Sequence, residues 1–181
     1  MVGQNNIIQN KGSELIMFGK GNDGSGDNEN RDDWETPNIL FDKLNKQYNF
    51  SFDCCSSNSN SKCVLYSTDF LKDWGSIFDH QTCWMNPPFS KSKEMFEHFF
   101  KIVKKGVCIY RCDNLETKVW QEIILPNCDW IFIPKGRVAY QYNVEIRKGK
   151  GARFPSALIG IGVDPPVGFD GFVLFKSRKN N

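Results

Sequence analysis

Trp84-Met85-Asn86-Pro87-Pro88-Phe89 runs two apolar residues into an amide, two prolines and an aromatic ring. Proline has no N–H and holds φ at about −65°, and the residue before a proline is pushed to extended geometry. Asn86 is therefore expected at the end of a strand over 82–85, with the chain leaving the sheet in a stiff, pre-shaped turn. That turn offers an amide, backbone carbonyls not tied to a neighbouring strand, and a flat ring. The set suits gripping an exocyclic amine on a flat base. A strand that simply stops above a packed Phe would carry the same residues.

Working outward, 92–105 places Met95, Phe96, Phe99, Ile102 and Val103 on one side, which predicts a helix ended by Gly106. Residues 107–110 read as a strand. Val119, Trp120, Ile123 and Ile124 predict a helix over 116–125, stopped by Pro126. Residues 130–133 read as a strand, and 154–163 as a near-continuous apolar one, as found where both sheet faces are covered. Residues 172–175 add an edge strand. Upstream, Thr36 and Pro37 form an N-cap and N1 pair. Leu40, Phe41, Leu44 and Tyr48 then recur at helical spacing. A first strand over 48–53 would point Phe50 and Phe52 the same way, and 63–66 gives a short second strand. The alternation implies an α/β fold with a mainly parallel sheet and helices on both faces. Ligands bind off the carboxyl ends of such strands. Asp53, Asp69 and Asn86 fall at or just after predicted strand ends, so they converge on one edge.

Composition bounds the rest. The chain has 181 residues, 40% hydrophobic and 14% aromatic, with 15 Phe and 5 Trp, which describes a globular domain. We expect a tail over 1–31, one folded domain over 32–176 and a short tail over 177–181. The net charge of +2 does not itself announce a nucleic-acid partner. The seven cysteines lack paired C-x-x-C spacing and read as reduced thiols of a cytoplasmic protein, with no metal site expected. Cys54, Cys55 and Cys63 are close, and Cys108 and Cys112 are four apart, neither a zinc pattern. No apolar run approaches the roughly 18 residues of a membrane span. His80 and His98 read as a loop residue and a helix-surface residue.

The order Asp33-Trp34-Glu35-Thr36-Pro37, Phe50-Ser51-Phe52-Asp53, Asp69-Phe70-Leu71 with Trp74, and Trp84-Met85-Asn86-Pro87-Pro88-Phe89 resembles the phage-type DNA N6-adenine methyltransferases. Gly136-Arg137-Val138 and Pro155-Ser156-Ala157-Leu158 fit the same pattern, and the likeness covers about residues 32 to 163. It implies a three-layer Rossmann-like methyltransferase fold, a mainly parallel sheet with an antiparallel last strand, S-adenosylmethionine as methyl donor, and DNA with a flipped adenine as substrate. If the gene is phage-borne, the enzyme works in the host cytoplasm. Asn86, Pro87, Pro88 and Phe89 become the catalytic turn. Asp53 is the candidate donor contact, with Cys54 beside it. Asp69 resembles the family acid near the donor's adenine, next to Phe70, and Trp34, Thr36 and Pro37 hold the methionine end. One departure stands out: related enzymes carry a Gly-rich turn after the first strand, where this chain reads Cys54-Cys55-Ser56-Ser57-Asn58.

The chemistry agrees with the resemblance. The adenine N6 lone pair is delocalised into the ring and must be turned toward a sulfonium methyl. The Asn86 side-chain oxygen and the Pro87 carbonyl can each accept one N6 hydrogen. Both bonds strengthen as positive charge grows on nitrogen, and Phe89 would stack on the base. The 135–153 segment carries Lys135, Arg137, Arg147, Lys148, Lys150 and Arg153 against one acid, Glu145, with Tyr140 and Tyr142 interleaved. It suits phosphate contact and base stacking, joined by Lys91 and Lys93. Other readings share these features: an amino-methyltransferase acting on cytosine N4, RNA or protein glutamine, or an inactive nucleic-acid-binding module.

Overall fold

The computed structural model describes residues 32, 34–142 and 154–175. The expected tails, Asp33, and the part of the basic segment that holds Arg147, Lys148, Lys150 and Arg153 lie outside the described residues.

Chain entry is a short strand, β1 (Trp34–Glu35), followed by helix α1 (Asn38–Tyr48). The cap falls one residue later than the sequence reading: Pro37 takes it, with φ −57° and ψ 136°, and its carbonyl accepts from the Leu40 and Phe41 N–H groups. Thr36 is thereby released from capping, and its hydroxyl has no hydrogen-bond partner. Leu40, Phe41, Leu44 and Tyr48 form the buried stripe of α1, as their spacing requires. Strand β2 (Phe52–Asp53) follows. Phe50 and Phe52 do not share a face: Phe50 packs with Phe41, Tyr48 and Trp84, whereas Phe52 packs against Phe78 on the other side. Regular strand geometry begins only at Phe52, after left-handed Asn49 (φ 51°), so period-two reasoning does not reach back to Phe50.

Next come β3 (Leu65–Tyr66), β4 (Thr82–Met85), α2 (Ser92–Ile102) and β5 (Lys105–Arg111). Gly106 is not a helix terminator. It lies buried inside β5, where a Cβ would stand 2.7 Å from the Cys83 carbonyl oxygen and 2.9 Å from the Phe99 ring. Close packing of α2 on the sheet, rather than turn geometry, requires that glycine. A wide-turned helical stretch (Val119–Ile124) runs into α3 (Leu125–Asn127), so Pro126 sits within the final turn instead of before it. Pro126 has no N–H with which to continue the helical ladder, and the helix ends one residue later, at Asn127. His98 is buried, its Nε2 2.9 Å from the Asp73 carbonyl oxygen and its ring against Phe70 and Trp74, not on the helix surface.

Strands β6 (Trp130–Pro134), β8 (Ser156–Ile161) and β9 (Gly171–Phe175) complete a seven-stranded sheet ordered β3-β2-β4-β5-β8-β6-β9, while β7 (Gln141–Tyr142) pairs apart from it with β1. β3, β2, β4 and β5 are parallel, but β8 runs against both β5 and β6, and β9 against β6. The sheet is therefore mixed, with two reversed strands instead of one. β6 ends at the same edge as the carboxyl ends of β2, β4 and β5, and β8 pairs antiparallel to both β5 and β6, so it starts at that edge and runs down. The core alternates accordingly. Cys83, Met85, Cys108, Ile131 and Ile159 meet α2 and the Trp120 helix on one face, and Trp84, Val107, Ile109, Trp130 and Leu158 meet α1 on the other. Among the described residues, no helix is long and apolar enough to cross a membrane.

Candidate active site

Two adjoining lobes, of about 200 and 260 Å³, open above the carboxyl ends of β2 and β4. The first is lined by Trp34, Glu35, Thr36, Asp53, Lys62 and Asn86, and the second by Cys54, Asp69, Phe70, Met95 and Pro88. Asn86 lines both lobes. Most of the residues expected to form the donor and catalytic sites thus meet in one groove. Pro37, Pro87 and Phe89 are not among its lining residues.

Asn86 follows β4 and is half-buried. Its Nδ2 donates to the Trp34 carbonyl at 2.6 Å. A carbonyl only accepts, so that contact fixes which end of the amide carries hydrogen and leaves Oδ1 as the free acceptor. No described group donates to the Pro87 carbonyl, whereas the Pro88 carbonyl accepts from Lys91 N–H at 3.2 Å. Asp32 clamps the far side of the turn, accepting from both the Ser90 N–H, at 2.9 Å, and the Ser90 hydroxyl. Phe89 is half-buried in an aromatic cluster. Its ring meets Phe154 and Tyr110 edge-on, with the Arg111 guanidinium 5.6 Å from its centre. Arg111 in turn is held by a two-point bond to Asp113, which keeps the Asp113 carboxyl below the usual carboxylate range.

Asp53 is buried, and burial pushes its carboxyl above the ordinary value against the pull of its backbone partners. Its two oxygens accept from Cys55 N–H at 3.2 Å and Lys62 N–H at 2.9 Å. The loop that lacks glycine is therefore wrapped around a carboxylate. Among the described residues only Asn49 is a non-glycine with positive φ, so nothing between Cys54 and Asn58 needs glycine's freedom. Cys54 is fully buried, and its thiol is pushed up by burial. Asp69 is exposed and pairs with Lys72 at 2.5 Å. Phe70 packs under the second lobe against Phe78, His98 and Phe99.

The expected DNA-contacting residues are more scattered. Lys91 and Lys93 are exposed beside the turn, Lys93 pairing loosely with Glu97 at 3.9 Å. Arg137 is half-buried near Asp113. Tyr140, expected at the surface, is in the core: its hydroxyl meets Ser156 Oγ at 3.0 Å and its ring packs on Trp34 and Phe154. Tyr142 pairs through its backbone with Trp34, which ties the start of the basic segment to the chain entry. Sequence reasoning missed Glu35 and Lys62 as lining residues. Glu35 stood beside Thr36 and was legible. Lys62 reaches the groove only because Asp53 folds the loop back over nine residues.

Residues 24–161 match the family described as DNA N-6-adenine-methyltransferase (Dam). The chain belongs to that family. It is accordingly a DNA methyltransferase specific for adenine N6. The match runs from before β1 to the last residue of β8 and so contains the whole groove. A comparison with curated proteins finds no match. Membership in the DNA N6-adenine methyltransferases sets aside cytosine and protein glutamine as the acceptor.

Proposed function

We propose that the enzyme takes S-adenosylmethionine in the two-lobed groove and transfers its methyl group to an adenine flipped out of DNA against the Asn86 turn. The observation that carries this reading is the Asn86 amide, whose donor end is occupied by Trp34 while its acceptor end is free beside a groove with unsatisfied polar atoms. Thr36 Oγ1 and Glu35 Oε1 both line the first lobe, are buried, and have no hydrogen-bond partner. Leaving such groups unpaired costs about 1–3 kcal/mol each, so a ligand with matching polar groups fits there. When bound, S-adenosylmethionine supplies an electrophilic methyl on sulfur. Thr36 and Trp34 hold the methionine end, and Asp69, Phe70 and Met95 the adenosine end.

Asn86 Oδ1 and the Pro87 carbonyl accept the two N6 hydrogens, turning the nitrogen lone pair toward the groove. These acceptors are fixed before reaction by the Trp34 contact and the two prolines, so no reorganisation is needed as charge develops. Phe89, steadied by Phe154 and Arg111, flanks the base. Flipping is needed because an adenine stacked in a duplex cannot reach such a site. The basic segment up to Arg153 and Lys91 and Lys93 contact phosphates. The same reading places the mixed sheet in the three-layer Rossmann-like methyltransferase class. The test is incubation with radiolabelled S-adenosylmethionine and unmethylated DNA, then nucleoside analysis. Label in N6-methyladenine is the expected result; label in cytosine or in protein overturns it.

A further inference from the structure

We infer that Glu35 and Lys62 form a two-charge reader for the α-amino-acid end of the donor, Glu35 taking the α-ammonium and Lys62 the α-carboxylate. This rests on the reading of the groove as the donor site and adds to it what that site selects. Three observations carry it. Glu35 Oε1 is a buried carboxylate oxygen without a partner, adjacent to the equally unpartnered hydroxyl of Thr36, which is only 1% exposed. Both line the first lobe, and Lys62 lines it too. Among the described residues no ion pair joins Glu35 to Lys62. Lys62 Nζ instead donates to the neutral Asn38 Oδ1 at the start of α1, and its charge acts on the Asp53 carboxyl without forming an ion pair among the described residues. Two opposite charges in one lobe that are not paired with each other match a zwitterion, and a charge-assisted hydrogen bond to each end is the strong kind.

The groove as a whole supports a cationic ligand. Four carboxylates, Asp32, Glu35, Asp53 and Asp69, line its two lobes against the ammonium groups of Lys62 and Lys91. A sulfonium-bearing donor brings one more positive charge than its thioether product, so the lining favours donor over product. The hydroxyl of Thr36, free to donate or accept, serves either end of the zwitterion.

Calorimetry with three probes tests this: S-adenosylhomocysteine, the same molecule without its α-amino group, and the same molecule without its carboxylate. The unmodified enzyme should bind the zwitterion at least about tenfold more tightly than either truncated probe. Glu35→Gln should erase the preference for the amino group while keeping that for the carboxylate, and Lys62→Met should do the reverse. If either variant weakens all three probes by one common factor, the residue acts only on the fold and the inference falls. If the unmodified enzyme fails to bind S-adenosylhomocysteine at all, the donor-groove reading falls and takes this inference with it.

Discussion

Asn86 can act as an acceptor because Trp34 occupies its donor end. On the proposed reading, removing the amide removes a positioned transition-state contact, with a smaller effect on the donor groove that Asn86 also lines. Asn86→Ala should lower kcat by about 10²–10³-fold with a much smaller change of S-adenosylhomocysteine affinity in calorimetry. Retained turnover would show that the base is gripped elsewhere. Asp53 makes a second prediction. Burial holds its folded carboxyl above the ordinary value of 3.8, so the folded state keeps that proton to higher pH than the unfolded chain. Its charge then detracts from stability above the raised value, and that penalty is relieved as pH falls through it toward the unfolded value. Urea unfolding of the unmodified protein and of Asp53→Asn, compared from about pH 7 down to about pH 4, should show the unmodified protein gaining stability relative to the variant as pH falls. A flat difference would mean that burial does not govern Asp53. The exposed Asp69–Lys72 pair contributes little to stability by comparison, which leaves the Asp69 carboxylate available to a ligand.

Between elements, the tightest packing in the sheet is glycine against tryptophan. Trp130 on β6 lies across β8 with its Nε1 donating to the Val163 carbonyl at 2.6 Å. A Cβ at Gly160 would stand 2.1 Å from the Trp130 ring. Gly160→Ala should therefore lower stability by about 1–3 kcal/mol or more, read as a shift of the urea midpoint, while any donor affinity that survives folding stays the same because the groove lies at the other end of the strands. The segment that follows β8 is tied to α1: Tyr48 Oη donates to the Asp164 carbonyl at 2.9 Å, Lys43 Nζ to Gly168 at 2.7 Å, and Gln47 both donates to Pro165 and accepts from Val167 N–H. These bonds bring the chain back to the groove edge, where Gly171 pairs with Pro134 to begin β9. None of them is visible as a local pattern, since the partners lie more than a hundred residues apart.

At the scale of the molecule, DNA affinity should come from charge placed around one edge, since the net charge is only +2. Replacing Lys148 and Lys150 together by alanine should reduce the slope of log K against log salt by about 2, at about 0.9 per phosphate contact. An unchanged slope in a fluorescence titration would remove that segment from the interface. The sequence by itself determined the strand that ends at Asn86, the helices over Leu40–Tyr48 and Met95–Phe99, and the convergence of Asp53, Asp69 and Asn86. Each rests on short-range physics: side-chain periodicity, proline's missing N–H, and the rule that ligands bind at the carboxyl ends of strands. Only the tertiary structure decided that Phe50 and Phe52 part to opposite faces, that Gly106 belongs to a strand, that Tyr140 and His98 are buried, and that β8 enters reversed. Tertiary structure alone also placed the Asn86 amide in the groove and brought Lys62 into the same lobe as Glu35. Those outcomes depend on which surfaces meet after the chain has folded back on itself, and no local spacing encodes the meeting of Trp34 with Asn86 across fifty-two residues.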